Sequence, residues 1–396
     1  MTQVEEPTGQ AEPARHGLAA RVSLGRVATT VPTSFLLILS SAILLTVFGL
    51  TMVLSATSAT VDDPLGSAVR QGSYALIAVP VMLVMSRIPV RWYQKLAWPA
   101  LIGSVALQLL VFVEGLGVAD SGNHNWLVIG SFQMQPSEFM KLSLALWIAF
   151  VMLRKQAVIT TWHQVMIPIV PVSALALGTV MAGNDLGTTS ILVLVVLGCL
   201  FFGGVKLRIF VLPLLVGLLA VAAYAVTSEN RMRRIMDLFQ DECNYFNECF
   251  QATHGLWGLA NGGIFGLGLG NSREKYDWLP AAANDYIFAI VGEELGLLGC
   301  LLVLFLFALY ALGAIQIIRR TTDPFVRVAT GGITLWIIGQ AFINIAVVLR
   351  LLPGLGVPLP FVSQGGTSLV AVLMATGVLL AFARTLPTPA QGKVTA

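Results

Sequence analysis

Ten apolar runs dominate this chain, at about 34–56, 72–88, 98–115, 138–153, 164–182, 186–204, 207–226, 284–311, 326–349 and 363–384. About 20 apolar residues in an α-helix span the hydrocarbon core of a bilayer. Inside lipid a backbone must satisfy its own N–H and C=O groups, so runs of this length fold as helices. Composition closes off the alternatives. Only 11% of residues are charged and mean hydropathy is +0.82, whereas a soluble domain carries about 25% charge. Lys and Arg number 23 against 20 Asp and Glu, without a basic block, which excludes a nucleic-acid binder. Four cysteines in 396 residues exclude a disulfide-stapled scaffold. The expected fold is an all-α polytopic membrane protein of ten transmembrane helices, with one large extracytoplasmic loop between spans seven and eight.

Residues 1–33 mix Pro, Gly, Gln, Glu and Arg without periodicity and read as a disordered cytoplasmic tail. Spans one to seven occupy 34–226, the large outer loop 227–283, spans eight to ten 284–384, and a short cytoplasmic tail 385–396. The first run starts too late and is too long for a signal peptide, so it reads as an anchor. Orientation follows the placement of Lys and Arg. With the N-terminus inside, fifteen of the 23 fall on the cytoplasmic side and seven outside, and Lys141 lies within a span. Both termini are therefore expected in the cytoplasm. A loop as long as 227–283 tends to be functional. Its stretch 255–270 holds seven Gly among Leu, Trp, Ile and Phe, and such a segment can dip into the interface or pack on the bundle. Cys243 and Cys249, on the oxidising side, are a candidate disulfide; the plain alternative is two free thiols. Cys199 and Cys300 lie in spans and read as packing residues.

Ionisable groups at membrane depth are costly unless paired or facing a cavity, so each one requires an explanation. Glu138 and Lys141 stand three apart after Gln135-Pro136-Ser137, on one helical face, and can pair. The pair either shapes a polar cavity open to the outer face or only fixes helix packing. Asp185, in Gly183-Asn184-Asp185-Leu186-Gly187-Thr188, reads as the N-cap of the sixth span and also as a candidate cavity residue. Asp285 stands where the long loop enters the eighth span. There a carboxylate at the water–lipid boundary suits a general base acting on a substrate whose tail lies in the bilayer; the alternative is again an N-cap. Glu293 and Glu294 lie two turns deeper, off the Asp285 face, where one or both are expected to pair with neighbouring helices. A polar turn at 360–368, Pro360-Phe361-Val362-Ser363-Gln364-Gly365-Gly366-Thr367-Ser368, would let backbone and hydroxyl groups approach a ligand; the alternative is a plain turn before the tenth span. No nucleotide-binding loop, no dinucleotide fingerprint in a βαβ context, no metal-ligand spacing of the four His and no G-x-S-x-G occur.

Taken together, Gln135-Pro136-Ser137-Glu138-Phe139 with Lys141, Asn184 to Thr188, Gly266 to Pro280, Asn284 to Ala289 with Glu293 to Gly296, and Ser363 to Ser368 resemble the SEDS family (shape, elongation, division and sporulation), the FtsW and RodA proteins of bacteria. The resemblance covers nearly the whole membrane portion. It implies a glycosyltransferase that polymerises lipid II, a disaccharide-peptide on undecaprenyl pyrophosphate, into peptidoglycan strands outside the cytoplasmic membrane. Asp285 matches the family's catalytic aspartate, and Glu138 with Lys141 its buried acid–base pair. Gly268 to Ser272 and Lys275 are more similar to the division type than to the elongation type, which implies septal synthesis during cell division. A class B penicillin-binding protein and other divisome membrane proteins are the implied partners. The chain departs from the family pattern at Ala281 and Ala283, where a Glu and a His are usual, and at Gln364, where an aromatic is usual. Displacement of the diphosphate by a single step would invert the anomeric carbon. Cations are then needed beside the leaving group. Lys275 or Arg273 is favoured, with Lys141, Arg231, Arg233, Arg234 and Arg350 also available, or a divalent Mg or Mn ion. A lipid II flippase is the competing class, and a scaffold that recruits division enzymes, with catalysis done by a partner, is a third.

Overall fold

A computed structural model of the chain describes residues 32–58, 65–120, 123–130, 132–156, 162–206, 250–276 and 278–387. In chain order its helices are α1 Thr33–Thr57, α2 Gly66–Met85, α3 Val90–Leu109, α4 Pro136–Arg154, α5 Trp162–Ala182, α6 Leu186–Phe202, α7 Phe250–Gly262, α8 Ile287–Arg320, α9 Pro324–Val348 and α10 Gly366–Ala383. Seven of these are long and apolar enough to cross a membrane, counting α3 with the 3₁₀ turn that continues it to Phe112, and α5 and α6 supply two shorter apolar helices. The protein is a multi-pass, all-α membrane protein. The predicted seventh span, 207–226, lies outside the described residues, as do Cys243, Cys249, Arg231, Arg233, Arg234 and most of both predicted tails.

Boundaries follow local chemistry. Pro136 at the start of α4 gives up an N–H that has no helical partner, and Glu138 sits in the first turn, beside the positive helix end. Asp323 caps α9 by accepting the Phe325 N–H at 2.9 Å. Arg319 and Arg320 end α8, where cations suit the negative helix end. The third span begins at Val90 rather than 98, because α3 starts directly after Pro89 and carries Arg91 and Lys95 in its first turns. Those charges lower the local apolarity without breaking the helix.

The bundle is centred on α4, whose Met140, Leu144, Trp147 and Ile148 are fully buried and which packs on α3, α6 and α9. Around it α1 lies along α8, α2 along α10, and α6 along α9. One small element joins the helices: β1 Gly117–Asp120, β2 Asn123–Ile129 and β3 Phe132–Met134 form an antiparallel sheet in the order β1-β2-β3. It covers the connection between the third and fourth spans. The His124 N–H donates to the Gly183 carbonyl at 2.9 Å, which ties the sheet to the turn before α6.

The segment between α7 and α8 inserts into the helical ladder of α8. Gly296 has φ +68° and ψ −162°, a conformation that only glycine adopts at low cost. In a continuous helix the Leu297 and Leu298 amides would bond the Glu293 and Glu294 carbonyls. Here Leu297 N–H donates to Gly263 O at 2.9 Å and Leu298 N–H to Ile264 O at 3.3 Å, while Leu267 N–H and Gly268 N–H reach the Glu293 and Glu294 carbonyls at 2.9 Å each. Two broken helix bonds are replaced by four, so every group freed by the kink is satisfied.

Candidate active site

Two polar assemblies lie on the described residues. The first is built around the connection 349–365 between α9 and α10, which gathers motifs far apart in the sequence. Asp285 is half-buried, and the N-cap position of α8 is taken by Tyr286, so the acid is not the helix cap that its position allowed. The three carbonyls leading to it are all held. Gln364 N–H donates to Ala283 O at 2.8 Å, Ser363 Oγ donates to Asn284 O at 2.6 Å, and Asn344 Nδ2 donates to Asp285 O at 2.7 Å. Ser363 Oγ also accepts from Leu359 N at 2.7 Å, which closes the turn. Gly356 has φ +66°, and a Cβ there would stand 3.7 Å from Asp285 Oδ2. A bare backbone therefore passes beside the carboxylate.

The same connection is tied to the buried ion pair. Lys141 Nζ lies 2.8 Å from Glu138 Oε1, with both side chains almost fully buried, and donates to Gln340 Oε1 at 3.1 Å. Gln340 in turn accepts from Trp336 Nε1 at 2.9 Å and donates to Pro358 O at 2.9 Å. The ammonium also stands 4.9 Å from the centre of the Trp336 ring, an added cation–π contact.

Asp185 completes the arrangement from α6. It caps that helix, accepting from Thr188 N and Thr188 Oγ1 at 2.8 Å each. Its Oδ2 also receives Gln135 Nε2 at 2.9 Å and Asn125 Nδ2 at 3.1 Å. One carboxylate thus joins α6, the sheet and the start of α4. Gln135 N–H reaches Thr367 Oγ1 at 3.3 Å, which brings in the first turn of α10. A Cβ on Gly187 would stand 2.2 Å from Leu355 O, so α6 meets the 349–365 connection backbone to backbone. Gln71 of α2 donates to Ser363 O and accepts from Gly365 N–H, both at 3.2 Å. A Cβ on Gly366 would strike the Tyr74 ring, and Ser368 is buried two residues on.

The second assembly holds Lys275, one of the two cations favoured for the diphosphate. Lys275 is buried, and its ammonium donates to Gly270 O at 2.7 Å, to Ser55 O and Ser58 Oγ at 3.3 Å, and to Glu294 Oε1 at 3.4 Å. Glu294 also takes Ser55 Oγ of α1, at 2.7 and 2.6 Å to its two oxygens. Glu293 accepts Ser272 Oγ and the amides of Arg273 and Glu274, so it pairs with the segment between α7 and α8 rather than with a helix. The Arg273 side chain is exposed and stays available. Nearby, His254 Nδ1 and Glu274 Oε2 are 2.5 Å apart and buried. Burial pushes the Glu274 carboxyl up, against the opposing pull of His254, and Glu293 adds to the rise. Among the described residues no three His, Cys, Asp or Glu come together to hold a metal ion.

Sequence reasoning did not single out Gln71, Asn125, Gln340 and Asn344. The last two stand four apart in the apolar run 326–349, and that spacing puts both amides on one face of α9. Their depth alone was a signal.

The model of the FtsW/RodA/SpoVE family of cell cycle proteins matches residues 35–387. The chain belongs to this family. It is 38% identical over 385 residues to the probable peptidoglycan glycosyltransferase FtsW of Mycobacterium tuberculosis, covering 96% of this chain and 74% of that protein. To the probable peptidoglycan glycosyltransferase FtsW of Geobacter metallireducens it is 35% identical, covering 87% and 93%. To stage V sporulation protein E of Bacillus subtilis it is 35% identical, covering 90% and 99%. Among solved structures, a chain of a peptidoglycan synthase complex superposes with a TM-score of 0.69 at 23% identity, covering 87% of this chain and 96% of that one. The rod shape determining protein RodA of Thermus thermophilus gives 0.66 at 23%, covering 89% and 97%. These likenesses establish that the family member has the family's fold.

Proposed function

We propose that this family member is a peptidoglycan glycosyltransferase that polymerises lipid II at the outer face of the cytoplasmic membrane, with both termini inside, for septal wall synthesis. The observation that carries the reading is Asp285, a single acid at the loop entry of α8 whose preceding carbonyls are held by α9 and the turn before α10. Relatives that share the whole membrane portion bear the glycosyltransferase name.

The chemistry needs only one carboxylate. A diphosphate is a weakly basic leaving group and departs without a general acid, unlike the two-carboxylate arrangement of glycoside hydrolysis. Asp285 takes the proton from an acceptor sugar hydroxyl as that oxygen attacks the donor's anomeric carbon. The C–O bond to diphosphate breaks, and the carbon inverts. Arg273 is the exposed cation that fits the departing charge. A divalent Mg or Mn ion would arrive as counter-ion of the donor's diphosphate; the described residues build no cage for one, and no step runs through it. Lys141 with Glu138, Asp185, Ser363, Gly365, Gly366, Thr367 and Ser368 shape the cavity. The partner that fits is a class B penicillin-binding transpeptidase, together with other divisome membrane proteins.

The test is purified protein with lipid II in detergent, alone and with a partner whose transpeptidase is inactivated. Glycan ladders are expected, and Asp285→Ala should lose roughly 10²- to 10⁴-fold in rate, the worth of a general base, with folding intact. Full activity in Asp285→Ala refutes the assignment. Movement of lipid II across vesicles without ladders would make the protein a flippase.

A further inference from the structure

We infer that Asn344 is a positioning residue for Asp285, and that through Gln340 on the same face of α9 it couples the acid to the buried Glu138–Lys141 pair. The inference rests on the proposed role of Asp285 and adds a residue to it.

The argument begins with the two protons on Asn344 Nδ2. One goes to Asp285 O and the other to Val357 O, each at 2.7 Å. Both donors of the amide are therefore spent on backbone carbonyls from different parts of the chain. One carbonyl belongs to the acid itself. The other belongs to the residue after Gly356, whose backbone passes beside the Asp285 carboxylate. The amide thus fixes the separation between the acid and the strand of chain that faces it. Asn344 is 1% exposed, and a side chain lacking the donors would leave the buried Val357 carbonyl and the part-buried Asp285 carbonyl without this partner.

Gln340, one turn earlier, does the same for the next residue along: its Nε2 holds Pro358 O at 2.9 Å. Its Oε1 is the atom that Lys141 Nζ reaches. A continuous route of charge-assisted and neutral hydrogen bonds runs from Glu138 through Lys141 and Gln340 to Pro358. The adjoining peptide carbonyl, on Val357, is shared with Asp285 through Asn344. Ala281 and Ala283 in the segment before the acid carry no polar side-chain group. The backbone of that segment is held from α9 and from Ser363 and Gln364.

A general base works only when it meets its proton in the correct geometry, and a displacement of about 1 Å can cost 10²-fold in rate. Asn344→Ala should therefore lower kcat for glycan synthesis about 10- to 100-fold while KM for lipid II changes less than about threefold. Those values follow from loss of positioning. Asn344→Gln keeps the amide on a longer stem and should recover part of that loss. Gln340→Ala should lower kcat in the same sense by a smaller factor. Each variant is purified as the full chain, its thermal unfolding midpoint is recorded, and Asp285→Ala is run beside it. Wild-type kcat in Asn344→Ala overturns the inference, as does a fall in activity with no recovery in Asn344→Gln that tracks the unfolding midpoint. An active Asp285→Ala would instead remove the role of the acid, and the two failures are distinguishable.

Discussion

Replacing Lys141 by Met keeps most of the length of the side chain and removes its charge, deep inside the bundle. The structure places the cost. Lys141 Nζ is 2.8 Å from Glu138 Oε1 with both side chains at 1–2% exposure, and Glu138 Oε2 has no hydrogen-bond partner. Without the ammonium, Glu138 keeps a buried negative charge with neither oxygen compensated by it. Gln340 suffers less, because its Oε1 retains the Trp336 N–H. Breaking a buried pair from one side costs about 3–5 kcal/mol, whereas replacing both partners by apolar groups of similar volume is often neutral or better. Lys141→Met should therefore lower the folded-to-unfolded ratio by roughly 10²- to 10⁴-fold, and Glu138→Leu/Lys141→Met should recover most of it. The assay is equilibrium unfolding of the purified protein in detergent, read as a double-mutant cycle, in which contacting residues show a large interaction energy. A single-variant loss below about 1 kcal/mol, or a double variant that loses the sum of its singles, would refute the reasoning.

Other perturbations separate the two assemblies. Lys275→Met should loosen the segment 266–276, seen as faster amide hydrogen exchange there, and leave KM for lipid II unchanged; a large rise in KM would restore Lys275 to the substrate. Gly187→Ala places a Cβ 2.2 Å from a backbone carbonyl of the 349–365 connection, which cannot rotate away. It should cost about 1–3 kcal/mol, as overpacking does, and slow polymerisation, measured by unfolding and by ladder formation. Burial raises the Glu274 carboxyl above its ordinary value, so the folded state binds its proton more tightly than the unfolded chain does. The stability from this group is present below the ordinary carboxylate range and fades as pH rises through the raised value. Hydrogen-exchange protection of Phe250–Gly262 should fall over that window, and protection that increases with pH would contradict it.

How much of this was legible in the sequence depended on how local each interaction is. The spans were legible because lipid permits so few backbone solutions; the start of α3 was not, because Arg91 and Lys95 hid a helix from an apolarity count. Glu138 and Lys141 could be paired on paper because they stand three apart on one helix. Lys275 could not be placed, since its partners lie on α1, on its own segment and on α8, contacts that no spacing encodes. The three-stranded sheet escaped for a related reason: its strands are three to seven residues long, and the sheet gains its anchorage from a hydrogen bond to the turn at Gly183.

Gln340 and Asn344 carry a weaker form of the signal that Lys141 carries. The cost that made Lys141 conspicuous applies, on a smaller scale, to any polar group in a dry interior. Two amides four residues apart in an apolar helix therefore needed partners as surely as a charge did. Neutral side chains escape a search for charges, yet these two bind three backbone carbonyls around Asp285. The general base proposed at Asp285 needs a fixed backbone. Among the described residues, uncharged groups hold that backbone, and they cost less to bury than ions.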